Sequence, residues 1–165
     1  MTEELPELKA LLIEEMENLL HAENQLAKAL PKLAKAAHAA QLRQCLSDHL
    51  EQTRGHTERL HQAFSLLGVK AKPKTSKGMQ GLLEEVEERV REERNLDPAS
   101  ADLGLILAAQ KLEHYEITAN GSLRTLAERI GESRVARLLA ENQAEDRRAD
   151  QLLTEIALPL FARAA

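Results

Sequence analysis

The residues best able to do chemistry in this chain are acids and histidines that fall where a helix should be apolar. At about 100° per residue, Glu23 phases onto the centre of a stripe made by Leu19, Leu26, Ala27 and Leu30. An ionised carboxylate in such a stripe needs a partner, because burying a charge alone is prohibitively costly. Glu116 repeats the situation among Ala109, Leu112, Asn120 and Leu123, with Glu113 one turn earlier at the stripe's edge. On a third stripe His49, Thr53 and His56 fall among Leu46, Leu50 and Leu60, with Gln52 at the edge. A fourth carries Asn142 and Glu145, with Asp146 and Asp150 at its border, whereas Glu51 phases outward. Carboxylates and imidazoles gathered from four helices form a donor set for hard and borderline cations, whose charge compensates the buried acids. The pattern nominates Glu23, Gln52, His56, Glu113, Glu116, Glu145, Asp146 and Asp150 as metal ligands, for two iron or manganese ions per chain.

Ion pairing competes with this reading. Glu23 and Glu116 could pair across a bundle with Lys28, His56 or Arg124, as buried ion pairs do. His49 and His56, taken singly, read equally as core histidines with a backbone partner or as ligands. His21, His38 and His61 read as surface residues, and His114 beside Tyr115 supports the site from outside or serves the fold. The lone Cys45 reads as a small packing residue, and the charge run over 84–94 as a solvated helix face.

Long helices must position these groups. Leu8, Leu12, Met16, Leu19, Leu26, Leu30, Ala34 and Ala37 recur at helical spacing and predict a helix over 5–38, with Pro31 kinking it or removing one hydrogen bond. Leu42, Leu46, Leu50, Leu60, Phe64 and Leu67 predict a second over 40–67, stopped by Gly68. Residues 69–76 are basic, contain a proline and lack periodicity, so they form a loop; 77–94 predicts a short amphipathic helix. Asp97-Pro98 starts a helix over 98–130, Gly131 ends it, and Ser133 is expected to cap a last helix running to about 161. Two tight connections and one long crossover carrying a short helix give an all-α, ferritin-like four-helix bundle of two antiparallel hairpins.

An internal repeat supports this connectivity. His21, Glu23, Leu30, Leu33 and Ala34 match His114, Glu116, Leu123, Leu126 and Ala127 at an offset of 93; Glu51, Arg54, Gly55 and His56 match Glu145, Arg148, Ala149 and Asp150 at 94. The halves imply a pseudo-two-fold axis, a natural place for a paired-metal site.

Composition bounds the rest. With 165 residues, 43% hydrophobic and 30% charged, the chain is expected to fold as one domain over 1–165 with a real core. Aromatics are 2%, so the core is aliphatic, which suits helices. A net charge of −5 and an acidic start (MTEELPE) argue against nucleic acid as a partner. No apolar run approaches the roughly 20 residues of a membrane span, no signal peptide is visible, and one cysteine precludes an internal disulfide, so a cytoplasmic location is expected.

The stretches AENQLAKALPKLAKAA, HLEQTRGHTERL, AAQKLEHYEITANGSLRTLAERIG and LLAENQAEDRRADQLLTEIA resemble the YciE/YciF family of ferritin-like proteins, over about residues 5–158. The resemblance implies a bacterial stress-associated protein forming a helical homodimer. It does not define an activity, so whether the chain is an enzyme stays open; in ferritin-like metal chemistry the substrate would be oxygen or peroxide. Di-iron bundles of this type carry Glu-x-x-His on the second and fourth helices. Here the matching spacings read Glu51-x-x-Arg54 and Glu145-x-x-Arg148, and arginine cannot ligate a metal. The substitutes are Gln52-x-x-x-His56 and Asp146-x-x-x-Asp150. The resemblance also implies that Gln52 stands where glutamate is common, a neutral group in place of an anion. The alternative function is a metal-free structural or stress-response bundle whose inward polar residues form ion pairs.

Overall fold

The structure, a computed structural model, describes residues 4–92 and 95–164. Five helices follow in order: α1 (Glu4–Ala36), α2 (Ala40–Leu66), α3 (Lys77–Glu92), α4 (Pro98–Arg129) and α5 (Ser133–Phe161). The end of the expected 77–94 helix lies outside the described residues. On α1, Leu12, Met16, Leu19, Leu26 and Leu30 are essentially fully buried, the helical stripe expected from their spacing. Pro31 sits inside α1, which continues to Ala36; its ring lies on the exposed side.

The termini show why the helices stop where they do. Gly68 and Gly131 adopt φ of 71° and 83°, and each is followed by an amide that reaches back one turn: Val69 N–H donates to the Phe64 carbonyl and Glu132 N–H to that of Ala127. These are left-handed glycine caps. Asp97 caps α4 by accepting from the amides of Ala99 and Ser100. The expected Ser133 cap does not form. Glu132 occupies the N-cap position without a side-chain hydrogen bond, and Ser133 is the first helical residue, because the glycine cap leaves only one residue between Gly131 and the new helix.

α1 packs on α2 and α4 on α5, while α2 faces α5 and α1 faces α4. Neighbours run antiparallel: Lys9 meets Glu132 while His38 meets Asp102, and His56 meets Glu145 while Arg59 meets Glu141. The long connection carries α3, which buries Met79 and Val86 against α1 and α4. It is pinned across α1 by Lys74 N–H to the Glu17 carbonyl and Ser76 N–H to His21 Nδ1. This is the expected ferritin-like bundle. No described helix is long and apolar enough to cross a membrane.

The repeat holds in burial at a single offset. His49 and Asn142, Thr53 and Asp146, His56 and Ala149, and Leu60 and Leu153 are buried pairs, each 93 positions apart. The expected 94 offset for α2 and α5 paired His56 with Asp150; the structure moves it by one residue, because burial rather than sequence identity carries the symmetry.

Candidate metal centre

Each of the four long helices sends a carboxylate or an imidazole into the middle of the bundle. Glu23 (α1), His56 (α2), Glu116 (α4) and Asp146 (α5) are all 0% exposed, and His49 and Glu113 are 3% exposed. His56 Nδ1 lies 3.4 Å from Glu23, 3.6 Å from Asp146 and 3.9 Å from Glu116. His49 Nε2 lies 3.2 Å from Glu113 and 3.4 Å from Glu116. The groups Glu23–His56–Glu116 and His49–Glu113–Glu116 each offer donor atoms within 4.8 Å of one another, with Glu116 common to both.

These contacts, spanning 3.2 to 3.9 Å, are too long or too poorly aligned to be hydrogen bonds. Both oxygens of Glu23 and Glu116, Glu113 Oε2, Asp146 Oδ1, His49 Nε2 and His56 Nδ1 are buried with no hydrogen-bond partner. Native interiors hold only scattered atoms of this kind, so a cluster of them facing one another points to donors converging on something else. Charge points the same way. Four carboxylates share the interior with two imidazoles, so with every acid ionised even two imidazolium ions leave an excess of negative charge, which either protons or a metal cation must neutralise. Of the cations that could pair with these acids, Lys28 is exposed, Arg124 lies 3.7 Å from Glu128 on its own helix, and Arg59 binds Glu145. A divalent cation or two fits this donor set of oxygen and imidazole.

Proton affinities follow from the same crowding. Burial pushes Glu113 and Glu116 well above the usual carboxylate range, reinforced by the neighbouring carboxylates, and opposed by His49 at Glu113 and by His56 at both. Asp146 is pushed up to about 9, by burial first and then by Glu116. At His56 burial opposes the charged ring, but Glu116, Glu23 and Asp146 outweigh it and raise the pKa to about 11. The metal-free cluster is therefore a proton store.

Of the nominated ligands, the structure brings Glu23, His56, Glu113, Glu116 and Asp146 together. Asp146 is deeper than its border phase suggested; Glu145 turns partly outward, and Arg59 grips it at 2.7 and 3.0 Å. Burial alone would raise the Glu145 pKa, but the Arg59 guanidinium holds it below the ordinary carboxylate value. Gln52 reaches His49 Nδ1 at 3.4 Å and stays behind the ring. Asp150 lies outside the group, beside Gln110 and an exposed His114. Glu51 points outward to Arg54, as its phase indicated. His49 was missing from the nominated set. The available signal was its position two turns before His56, which puts both rings on one face of α2.

Residues 7–165 match the family described as "Domain of unknown function (DUF892)". The chain is 42% identical over 139 residues to Protein YciF of Escherichia coli (strain K12), covering 83% of this chain and 82% of that protein. It superposes on the crystal structure of the E. coli stress protein YciF with a TM-score of 0.89 at 37% identity, over 94% of this chain and 97% of the other. It also superposes on YcfI from Rhodopseudomonas palustris, described as a putative structural protein, with a TM-score of 0.85 at 32% identity, over 93% and 97% of the two chains. With a match that spans nearly the whole sequence and YciF as a relative in both sequence and structure, the chain belongs to the DUF892 family of YciF-like helical proteins.

Proposed function

We propose that this chain is a stress-associated ferritin-like protein that binds two iron or manganese ions in its bundle core and acts there on oxygen or peroxide. The observation that carries this reading is the set of buried, unpartnered oxygens and imidazole nitrogens facing one another. Glu23, His56, Glu116 and Asp146 would hold one ion, and His49, Glu113 and Glu116 the other, with Glu116 shared. Both imidazoles come from α2, which replaces the symmetric Glu-x-x-His pattern with histidines two turns apart. Bound redox-active ions would supply one-electron chemistry toward oxygen or peroxide. The residues themselves bind cations, release protons from Glu113, Glu116, Asp146 and His56 as they do so, and keep bulk water away from the centre. Residues 1–165 act as one domain in this reading, since helices from both hairpins are needed to build the group.

The competing reading is a metal-free structural bundle in which His56 and His49 pair with the acids and fix helix register. The missing Glu-x-x-His motifs favour it; the excess of buried carboxylates counts against it. Elemental analysis of protein purified without chelator decides. About two iron or manganese ions per chain supports the metal reading, and none after anaerobic reconstitution refutes it. We further propose a homodimer that buries part of the first hairpin, where Leu11 is 45% exposed. Light scattering at micromolar concentration should give twice the 18.4 kDa chain mass; a monomer mass would overturn it.

A further inference from the structure

The two halves of the bundle place different residues at equivalent positions around the candidate centre. Leu20 stands where Glu113 does in the other half, Thr53 where Asp146 does, and His49 where Asn142 does. The donor groups around His56 and His49 are consequently unlike. Glu23, Glu116 and Asp146 face His56, whereas Glu113 and Glu116 face His49.

What stands behind each ring differs more. His56 Nε2 lies 2.9 Å from Glu145 Oε2. Arg59 closes on that carboxylate as a fork, Nη1 donating to Oε2 at 3.0 Å and Nη2 to Oε1 at 2.7 Å. Arg59 is itself fixed by Asn142 Oδ1 at 3.0 Å and Glu141 at 3.3 Å. A carboxylate so gripped is an acceptor only, so His56 Nε2 must carry a proton. Once the ring gives up its second proton to ligate, its lone pair can reside only on Nδ1, the atom aimed at Glu23, Asp146 and Glu116. A carboxylate behind a ligating imidazole both fixes its orientation and increases its donor strength. His49 has no such support: its Nδ1 faces the neutral amide of Gln52 at a long 3.4 Å.

We propose that Glu145, clamped by Arg59, is a positioning residue rather than a ligand, and that it makes the two cation positions unequal, the Glu23–His56–Glu116 position filling first. This rests on the metal reading above. It converts a pseudo-symmetric bundle into a centre with one retained ion and one exchangeable ion. Glu145→Gln keeps the shape but loses the anion, and it lets the amide present either a donor or an acceptor to His56.

The test is titration of the full-length apo-protein with Co²⁺, followed by visible absorption and calorimetry, beside ¹⁵N NMR of the histidine rings in the Zn²⁺-loaded protein. Wild type should show one tight and one weaker step, and a His56 ring protonated at Nε2. Glu145→Gln should weaken the tight step roughly 10–100-fold, leave the weaker step in place and broaden or shift the His56 Nε2 signal. Gln52→Glu, which puts a carboxylate behind His49, should tighten the weaker step and narrow the gap. Two steps that Glu145→Gln leaves unchanged, or weakens equally, would overturn the proposal while the metal reading stands. Failure of wild type to bind either ion would overturn the metal reading itself. Urea denaturation of each apo variant shows whether a change in affinity is only a loss of fold.

Discussion

At the scale of single residues, Glu23 gives the sharpest test, because the structure surrounds it with anions rather than with one dedicated cation. His56 is its nearest charged partner at 3.4 Å, but Glu116, Asp146 and Glu145 also face that ring. Glu23→Gln therefore leaves no unpaired cation behind. Metal binding should be lost or weakened by at least an order of magnitude, while the urea midpoint of the apo-protein stays level or rises as a buried charge is removed. If Glu23 were half of a simple buried ion pair, the same change would cost about 3–5 kcal/mol. A drop of that size without any wild-type metal binding would favour the structural reading. Glu23 and Glu116 were legible from phase because they sit at the centre of their stripes. Phase nominated Glu145 and Asp146 as well but reversed their depths, since adjacent residues near a stripe's border swap places with a small rotation of the helix. The facing helices decide that rotation: Arg59 and His56 of α2 draw Glu145 toward the edge, while Asn120 of α4 holds Asp146 inside at 3.1 Å.

At the scale of helices, one buried acid serves the fold instead of the centre. Asp102 on α4 is 1% exposed and accepts the amides of His38 and Ala39, both at 2.7 Å, across the bundle. It supplies from another helix the cap that Ala39 cannot give α2, whose N-cap has no side-chain bond of its own. Asp102→Ala should cost about 2–3 kcal/mol, because two amides lose a charged acceptor, without changing metal affinity. A loss in metal binding at retained stability would show that Asp102 reaches the centre after all. No helical phase reveals such a cap, since its partners lie 63 and 64 positions away. The glycine caps are the opposite case. Gly131 has open space where a Cβ would stand but a φ of +83°, so Gly131→Ala should cost about 1–2 kcal/mol from backbone strain alone. Thermal unfolding unchanged by this substitution would mean the α4–α5 turn relaxes.

For the whole molecule, the stored protons set how stability depends on pH. The His56 contribution, with its pKa raised from 6.5 to about 11, is fully present below pH 6.5 and is lost as pH rises through 11. Asp146, raised from 3.8 to about 9, penalises folding increasingly as pH climbs from 3.8 toward 9, and Glu113 and Glu116 act in the same direction. The folded apo-protein holds more protons than the unfolded chain, so both effects lower its stability with rising pH. Its urea midpoint should fall between pH 6 and pH 9; a rise would contradict the charge arrangement. Metal replaces those protons, so the loaded protein should lose less over that range, and affinity should grow with pH. At a metal concentration 100 times Kd, the gain is about 2.7 kcal/mol, a thermal shift of roughly 5–10 °C for a chain of this size. The sequence by itself determined the helices, their connectivity and the inward acids, because helical periodicity, glycine stops and connection length are local properties of the chain. Only the tertiary structure decided which acids meet. It added His49, drew Asp146 to the centre, set Glu145 behind His56 and left Asp150 outside the group, because helix rotation and cross-bundle partners are fixed by packing between segments 40 to 89 residues apart.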